Sequence, residues 1–251
     1  MPRGSDDDAT ILAGRQPVLE ALRAGSPITK ITFAANMASS KTLSEIRKRA
    51  EAASVPLRVV PKKEVDRAAG GIHHQGVVAI TGRFRYASLD RLLEAPSPFV
   101  LFLDGVTDPH NLGSLLRSAD GAGFTGIVLP ARRSVMVTGT VRRVSAGASE
   151  VVPVARVTNL GRGLDDARAA GLWLVGLEAD GEIDLWTSNM IEPPLGLVLG
   201  AEGSGLSRIV RERCDEVVRI PLRGRLDSMN VAVAGAVVMF EAARRAQSNS
   251  L

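Results

Sequence analysis

The stretch FVLFLDGVTDPHNLGSLLRSADGAGFTGIVLP, Phe99 to Pro130, holds two apolar runs with a helical pattern between them. Asp108 is placed to cap that helix, Pro109 suits its first turn, and Leu112, Leu115, Leu116 and Ala119 recur at the spacing of one buried face. Continuous apolar runs alternating with helices read as strands of a parallel sheet covered on both faces. The alternation continues downstream. A basic segment is followed by strands in EVVPVARV, LWLVGLEAD, LGLVLG and EVVRIPL, helices in LGRGLDDARAAG and SRIVRERC, and a last apolar helix from Val231. The expectation is an α/β domain over 99–251 whose ligands bind at the carboxyl ends of its strands.

Upstream, GRQPVLEALRAG, SKTLSEIRKRAEAAS and KKEVDRAAG read as helices, and ITKITFAAN, PLRVVP and QGVVAIT as strands. They define a second, smaller α/β domain over 10–82. Residues 1–9 read as a disordered tail. Residues 83–98 read as a linker with one short helix, closing on Pro96 and Pro98.

With 251 residues, 45% of them hydrophobic, the chain can bury one large or two modest cores. Residues 1–98 carry 15 Lys/Arg against 10 Asp/Glu, whereas residues 99–251 carry 16 against 17. The basic half is the one expected to meet a polyanion such as nucleic acid, although a solvated surface explains such an asymmetry equally well. No apolar stretch of signal-peptide type opens the chain, and the run Val231–Phe240 is half of a bilayer span, so a soluble cytoplasmic protein without a membrane partner is expected. Cys214 is the single cysteine, which excludes an internal disulfide and reads as a packed thiol. His73 and His74 lack further ligands for zinc, so no metal is expected. Nothing resembles a serine-hydrolase elbow, and 4% aromatic content argues against stacked platforms for single-stranded nucleic acid.

Three polar clusters fall where strands hand over to loops or helices. The first holds Asn111 and Arg117, both off the apolar stripe of their helix; read alone they are a first-turn hydrogen bonder and a surface charge. The second, LGLVLGAEGSGL, runs an apolar strand into Gly200, Glu202, Gly203 and Gly205, where backbone can approach a ligand closely. It is neither a dinucleotide fingerprint nor a phosphate-binding loop. The third, IPLRGRLDSMN, ends in Ser228 and Asn230, which read alone are helix caps.

In this order the three clusters resemble the signature motifs of the SpoU (TrmH-like) branch of the SPOUT RNA methyltransferases. The amino-terminal GRQPVLEALRAG and HQGVVA are similar to the RNA-binding domain of the bacterial large-subunit ribosomal-RNA guanosine 2′-O-methyltransferases of that branch. The resemblance implies a parallel-sheet SPOUT domain with a C-terminal trefoil knot, an exception to the usual avoidance of knots, preceded by a small L30-like RNA-binding domain. It implies S-adenosyl-L-methionine as cofactor, held at Leu199, Gly200, Ile220, Leu222, Ser228 and Met229. It places the polar active-site positions on Asn111, Arg117, Glu202, Ser228 and Asn230. The chain departs from the pattern at Ala232, where many relatives carry serine.

The implied reaction moves a methyl group to a ribose 2′-hydroxyl of RNA, ribosomal RNA above transfer RNA. Arg117 would stabilise charge developing on the oxygen, because a guanidinium is too weakly acidic to serve as a base near neutral pH. Glu202 is left between holding Asn111 or Arg117 in place and acting as base. Family members work as homodimers, which leaves open whether Arg117 serves its own or its neighbour's cofactor. A non-catalytic RNA-binding protein of the same fold is the rival, opposed by the intact polar set; a dinucleotide-dependent oxidoreductase lacks its glycine fingerprint.

Overall fold

The computed structural model describes residues 10–225 and 227–248, so the expected tail over 1–9 lies outside the described residues. Two compact units result. One comprises the described residues up to Arg85 together with Val137–Val151, and the other comprises Tyr86–Met136 with the described residues from Val152 onward.

The first unit begins with β1 (Thr10–Ala13), α1 (Arg15–Arg23), β2 (Ile28–Ala34), α2 (Lys41–Ala52), β3 (Leu57–Val60), α3 (Lys62–Ala69) and β4 (Val77–Thr81). Its sheet has the order β1-β4-β2-β3, with β2 and β3 parallel and β4 antiparallel to both neighbours. Side chains alternate across it. Ile31, Phe33 and Ala79 pack with Val18, Leu19, Leu43 and Ile46, while Ala34, Val60 and Val78 pack with Val65 and Ala69 on the other face. The strand β1 was not foreseen, because four residues beside a polar tail carry too little pattern.

The second unit opens with α4 (Leu89–Leu93), β5 (Phe99–Asp104), α5 (Pro109–Gly121) and β6 (Gly126–Pro130). Asp108 caps α5 as expected, accepting the His110 N–H at 2.7 Å. The chain then contributes α6 (Gly139–Val144) and α7 (Ala148–Val151) to the first unit. These helices arise in the basic segment, to which the sequence assigned no element, and they correct the strand expected from Glu150, because Glu150 and Val151 belong to α7. The strand starts only after Pro153, as β7 (Val154–Val157).

The Glu150 carboxylate has a buried partner. Arg142, 2% exposed, donates from Nε to Glu150 Oε1 at 2.6 Å and from Nη2 to Oε2 at 2.9 Å. Its Nη1 donates to Thr81 Oγ1 at 2.5 Å, and Ser26 Oγ donates to Glu150 Oε2 at 2.5 Å. A charge pair this deep survives because every charged oxygen and all three guanidinium nitrogens have partners.

The second unit continues with α8 (Leu160–Ala169), β8 (Trp173–Leu177), β9 (Ile183–Asp184), β10 (Leu195–Gly200), α9 (Arg208–Arg211), β11 (Glu216–Arg219) and α10 (Val231–Ser248). Its seven strands follow the order β7-β6-β5-β10-β8-β11-β9, and every pairing is parallel. This is the α/β sheet expected from the apolar runs; only the two-residue β9 was unforeseen. Helix α10 approaches closely through Gly235, where a Cβ would stand 2.6 Å from both Leu115 Cδ2 of α5 and Leu199 Cδ1 of β10.

Candidate active site

From β5 the chain builds outward through β6 and β7 on one side, whereas the strand on its other side is β10. The strand order therefore reverses between β5 and β10, whose last residues, Asp104 and Gly200, are register partners. Crevices form outside the carboxyl ends of strands at such a reversal, because the helices on the two sides leave from opposite faces. All three polar clusters lead into this region or into the start of α10.

The turn after β10 is folded tightly on itself. Ala201 and Gly205 exchange backbone hydrogen bonds at 3.1 and 3.0 Å, and a Cβ on Gly200 would collide with the Gly205 backbone. Two carboxylates fix its far side: Asp104 Oδ2 accepts Ser207 N–H at 2.7 Å, and Glu178 Oε1 accepts Leu206 N–H at 2.7 Å. Arg211 contacts the other oxygen of Glu178 and donates to Asp180 Oδ1 at 2.9 Å. Sequence reasoning missed Asp104 and Glu178. Their signal was a lone carboxylate directly after an apolar strand, in VLFLD and LVGLE.

This turn presents Glu202 to two asparagines. Glu202 Oε1 accepts from Asn111 Nδ2 at 3.1 Å and from Asn230 Nδ2 at 2.7 Å, with Val231 N–H at 3.5 Å. Asn230 Nδ2 also donates to Asn111 Oδ1 at 3.0 Å. Asn230 Oδ1 accepts the Ala232 and Val233 N–H groups at 3.0 and 3.3 Å, capping α10. The amide orientations follow from the network, because an ionised carboxylate only accepts. Both hydrogens and both lone pairs of Asn230 are thereby engaged. Asn111 keeps one N–H and one lone pair, and Glu202 Oε2 takes no bond among the described residues.

The other expected site residues stand apart from this network. Arg117 is exposed on α5, six residues beyond Asn111, with no hydrogen bond or ion pair among the described residues. Ser228 is exposed and lies ahead of α10, so the expectation that it caps the helix is corrected: Asn230 is the cap. Leu199 is buried, Ile220 and Met229 are half-buried, and Leu222 is 40% exposed. Ala232 donates its N–H to the cap. Near the mouth, the His110 N–H holds the Asp108 carboxyl below its usual range. Cys214 is a packed thiol, pushed up to about 12 chiefly by burial.

The fold and site together define an α/β enzyme class with a polar cluster set at the reversal of a parallel sheet. Two family models match the chain: SpoU rRNA Methylase over residues 98–240, and RNA 2′-O ribose methyltransferase substrate binding over residues 11–87. A protein assigned to the TrmH family of tRNA/rRNA methyltransferases in Staphylococcus aureus (strain COL) is 39% identical over 241 residues, covering 94% of this chain and 96% of its own. One from Bacillus subtilis (strain 168) is 40% identical over 239 residues, covering 92% and 94%. The AdoMet-bound rRNA methyltransferase from Sinorhizobium meliloti superposes with a TM-score of 0.80 at 28% identity, over 96% of this chain and 88% of that one. The SpoU methyltransferase AviRb from Streptomyces viridochromogenes, in complex with AdoMet, gives 0.77 at 27% identity, over 95% and 91%. The chain belongs to the SpoU family of RNA methyltransferases.

Glu202→Gln tests what the carboxylate does. A glutamine oxygen can still accept from Asn111 and Asn230, so single-turnover methylation within about tenfold of the unmodified protein, with an unchanged pH profile, is expected. Glu202→Ala removes the acceptor and should cost about 1.5–3 kcal/mol in transition-state stabilisation, the range of hydrogen bonds to a charged group. A glutamine variant as inactive as the alanine variant would assign Glu202 the role of base.

Proposed function

We propose that this protein transfers a methyl group from S-adenosyl-L-methionine to a ribose 2′-hydroxyl of RNA, with ribosomal RNA as the favoured substrate. The observation that carries the reading is the Asn111–Glu202–Asn230 network at the reversal of the parallel sheet. It leaves a single asparagine N–H and one lone pair held in fixed orientation where a ligand would sit. The cofactor suits the neighbouring strand ends. Half-buried Ile220 and Met229 and exposed Leu222 offer apolar surface for an adenine, and the Gly200 turn brings bare backbone within reach.

When bound, S-adenosyl-L-methionine supplies a methyl group already activated on a sulfonium. The protein must therefore align the hydroxyl and stabilise the charge it develops. Asn111 orients the ribose, Glu202 and Asn230 position Asn111, and Arg117 supplies positive charge near the oxygen and its adjoining phosphate. Ser228 lines the cofactor side. Because the Arg117 guanidinium has no partner among the described residues, we assign it to the site of a second copy in a homodimer, the exposed Val233 and Phe240 of α10 belonging to the shared surface. The turn after β11 and α10 form the trefoil knot in this reading. Residues 10–82 capture RNA, 83–98 link, and 99–251, apart from the segment Val137–Val151 that joins the first unit, hold the cofactor. No helix among the described residues is long and apolar enough to cross a membrane, and the cytoplasm is the proposed location.

Labelled-methyl transfer into ribosomal and transfer RNA, followed by mapping of the modified ribose, tests the reaction and its substrate. Label in ribosomal RNA that resists alkaline cleavage at one position is the expected result. Label confined to transfer RNA would replace the substrate, and label on a base would overturn the chemistry.

A further inference from the structure

The first unit carries a cleft that takes no part in the site described above. It lies between the turn Ala34–Met37 after β2 and the loop Gly71–Gly76, flanked by Lys62 and Asp66 of α3. Its volume is about 570 Å³, within the roughly 300–1,000 Å³ of small-ligand sites. Its lining is mixed. Asn36, Lys62, His73 and Gln75 are exposed, while Met37 and Ile72 are half-buried and Ala34 is buried. A smaller hollow of about 270 Å³ shares Ala34, Asn36 and Met37 and adds Arg47, whose guanidinium lies 4.5 Å over the Phe33 ring.

The walls are held in an unusual backbone conformation. Asn36 (φ 60°) and Gln75 (φ 48°) are left-handed without being glycine, and Gly71 and Gly76 are both at φ 82°. Such residues persist only where their surroundings determine them, and they concentrate at ligand sites. His74 is the determinant here. It is 7% exposed; its Nδ1 accepts the Gly76 N–H at 3.0 Å, so Nε2 carries the proton and donates to Asp66 Oδ1 at 2.7 Å. Arg15 ties the same loop from outside, donating from Nε to the Gln75 carbonyl at 3.2 Å. Met37 lies against Gly76, where a Cβ would collide with its sulfur, so the two walls also touch.

We propose that this cleft receives one unpaired nucleotide of the RNA substrate, an inference that rests on RNA being the substrate. The amides of Asn36 and Gln75 both donate and accept, which suits the edge of a base and not a bare anion. Met37, Ile72 and the His73 imidazole offer a largely apolar seat for its face. Lys62 beside one hollow and Arg47 beside the other meet the flanking phosphates. A paired base cannot reach this seat, since its edge is turned into the duplex. The cleft thus selects a loop, bulge or strand end.

The test uses the full chain with Asn36→Gly, which keeps the left-handed backbone, combined with His73→Ala. Binding of single-stranded hexauridylate should weaken about five- to a hundredfold, the effect of removing one stacking base contact, while binding of a blunt RNA duplex is unchanged. The KM for substrate RNA should rise far more than kcat falls, with cofactor affinity unaltered. Wild-type affinity for hexauridylate, or an equal loss for duplex and single strand, overturns the proposal. Should the variant melt early, titrating the unmodified protein with uridine 5′-monophosphate decides it: the His73 ring signals shift and those of His110 do not, and no shift at saturation overturns it. An unmodified protein that methylates no RNA sinks the proposed function, whereas methylation with unaffected variants sinks only the cleft.

Discussion

Replacing Arg117 with alanine should slow single-turnover methylation by roughly 10²–10³-fold, the loss expected when one preorganised donor to a developing oxyanion is removed. Cofactor affinity should stay the same. Stability should move by less than about 0.5 kcal/mol, because the side chain is exposed and bonds to nothing among the described residues. Arg117→Lys should recover part of the rate, since it restores the charge without the planar fork that can hold phosphate and hydroxyl together. The same variant separates action within one chain from action across two. If each Arg117 serves the neighbouring copy, mixing inactive Arg117→Ala with inactive Asn111→Ala protein creates dimers with one intact site, and activity returns. Near-normal turnover by the alanine variant at saturating RNA and cofactor would remove Arg117 from the mechanism.

Arg142→Met should destabilise the protein by about 3–5 kcal/mol, because it leaves the Glu150 carboxylate buried without its counter-ion. Glu150 would retain only hydroxyl donors, Ser26 at 2.5 Å and Ser149 at 3.3 Å, against the two charged nitrogens it loses. Adding Glu150→Leu should return most of that stability, since a buried pair replaced on both sides by apolar groups of similar size is often neutral. Denaturant unfolding of the three proteins measures both effects. Equal stability for the single and double variants would show that the carboxylate tolerates isolation and that the pair does not hold α6 and α7 in the first unit.

The sequence made the sheet legible because β5, β6, β8 and β10 are almost uninterrupted apolar runs, and such runs carry their direction in the helices between them. It concealed α6 and α7. Their defining contact is Arg142 with Glu150, two charged residues that read as surface until their burial is seen. In the site, Asn111, Glu202 and Asn230 were visible as polar residues at strand ends and helix starts, but their mutual hydrogen bonds cross 91 and 119 residues of sequence and leave no local trace. Reading Ser228 as a cap failed for a simpler reason. Two residues competed for one helix start, and only the one adjacent to Val231 can place its oxygen over the first turn. The role of Arg117 is the least legible, since its guanidinium has no partner among the described residues.

The dependence of Asn111 on Asn230 also sets a schedule for biogenesis. The first asparagine is synthesised 119 residues ahead of the amide that donates to it. A chain that stops after β11 possesses the first unit and all seven strands of the second sheet but lacks the Asn230 donor to Asn111. Asn111 therefore gains its full set of partners only once the segment leading into α10 has been made.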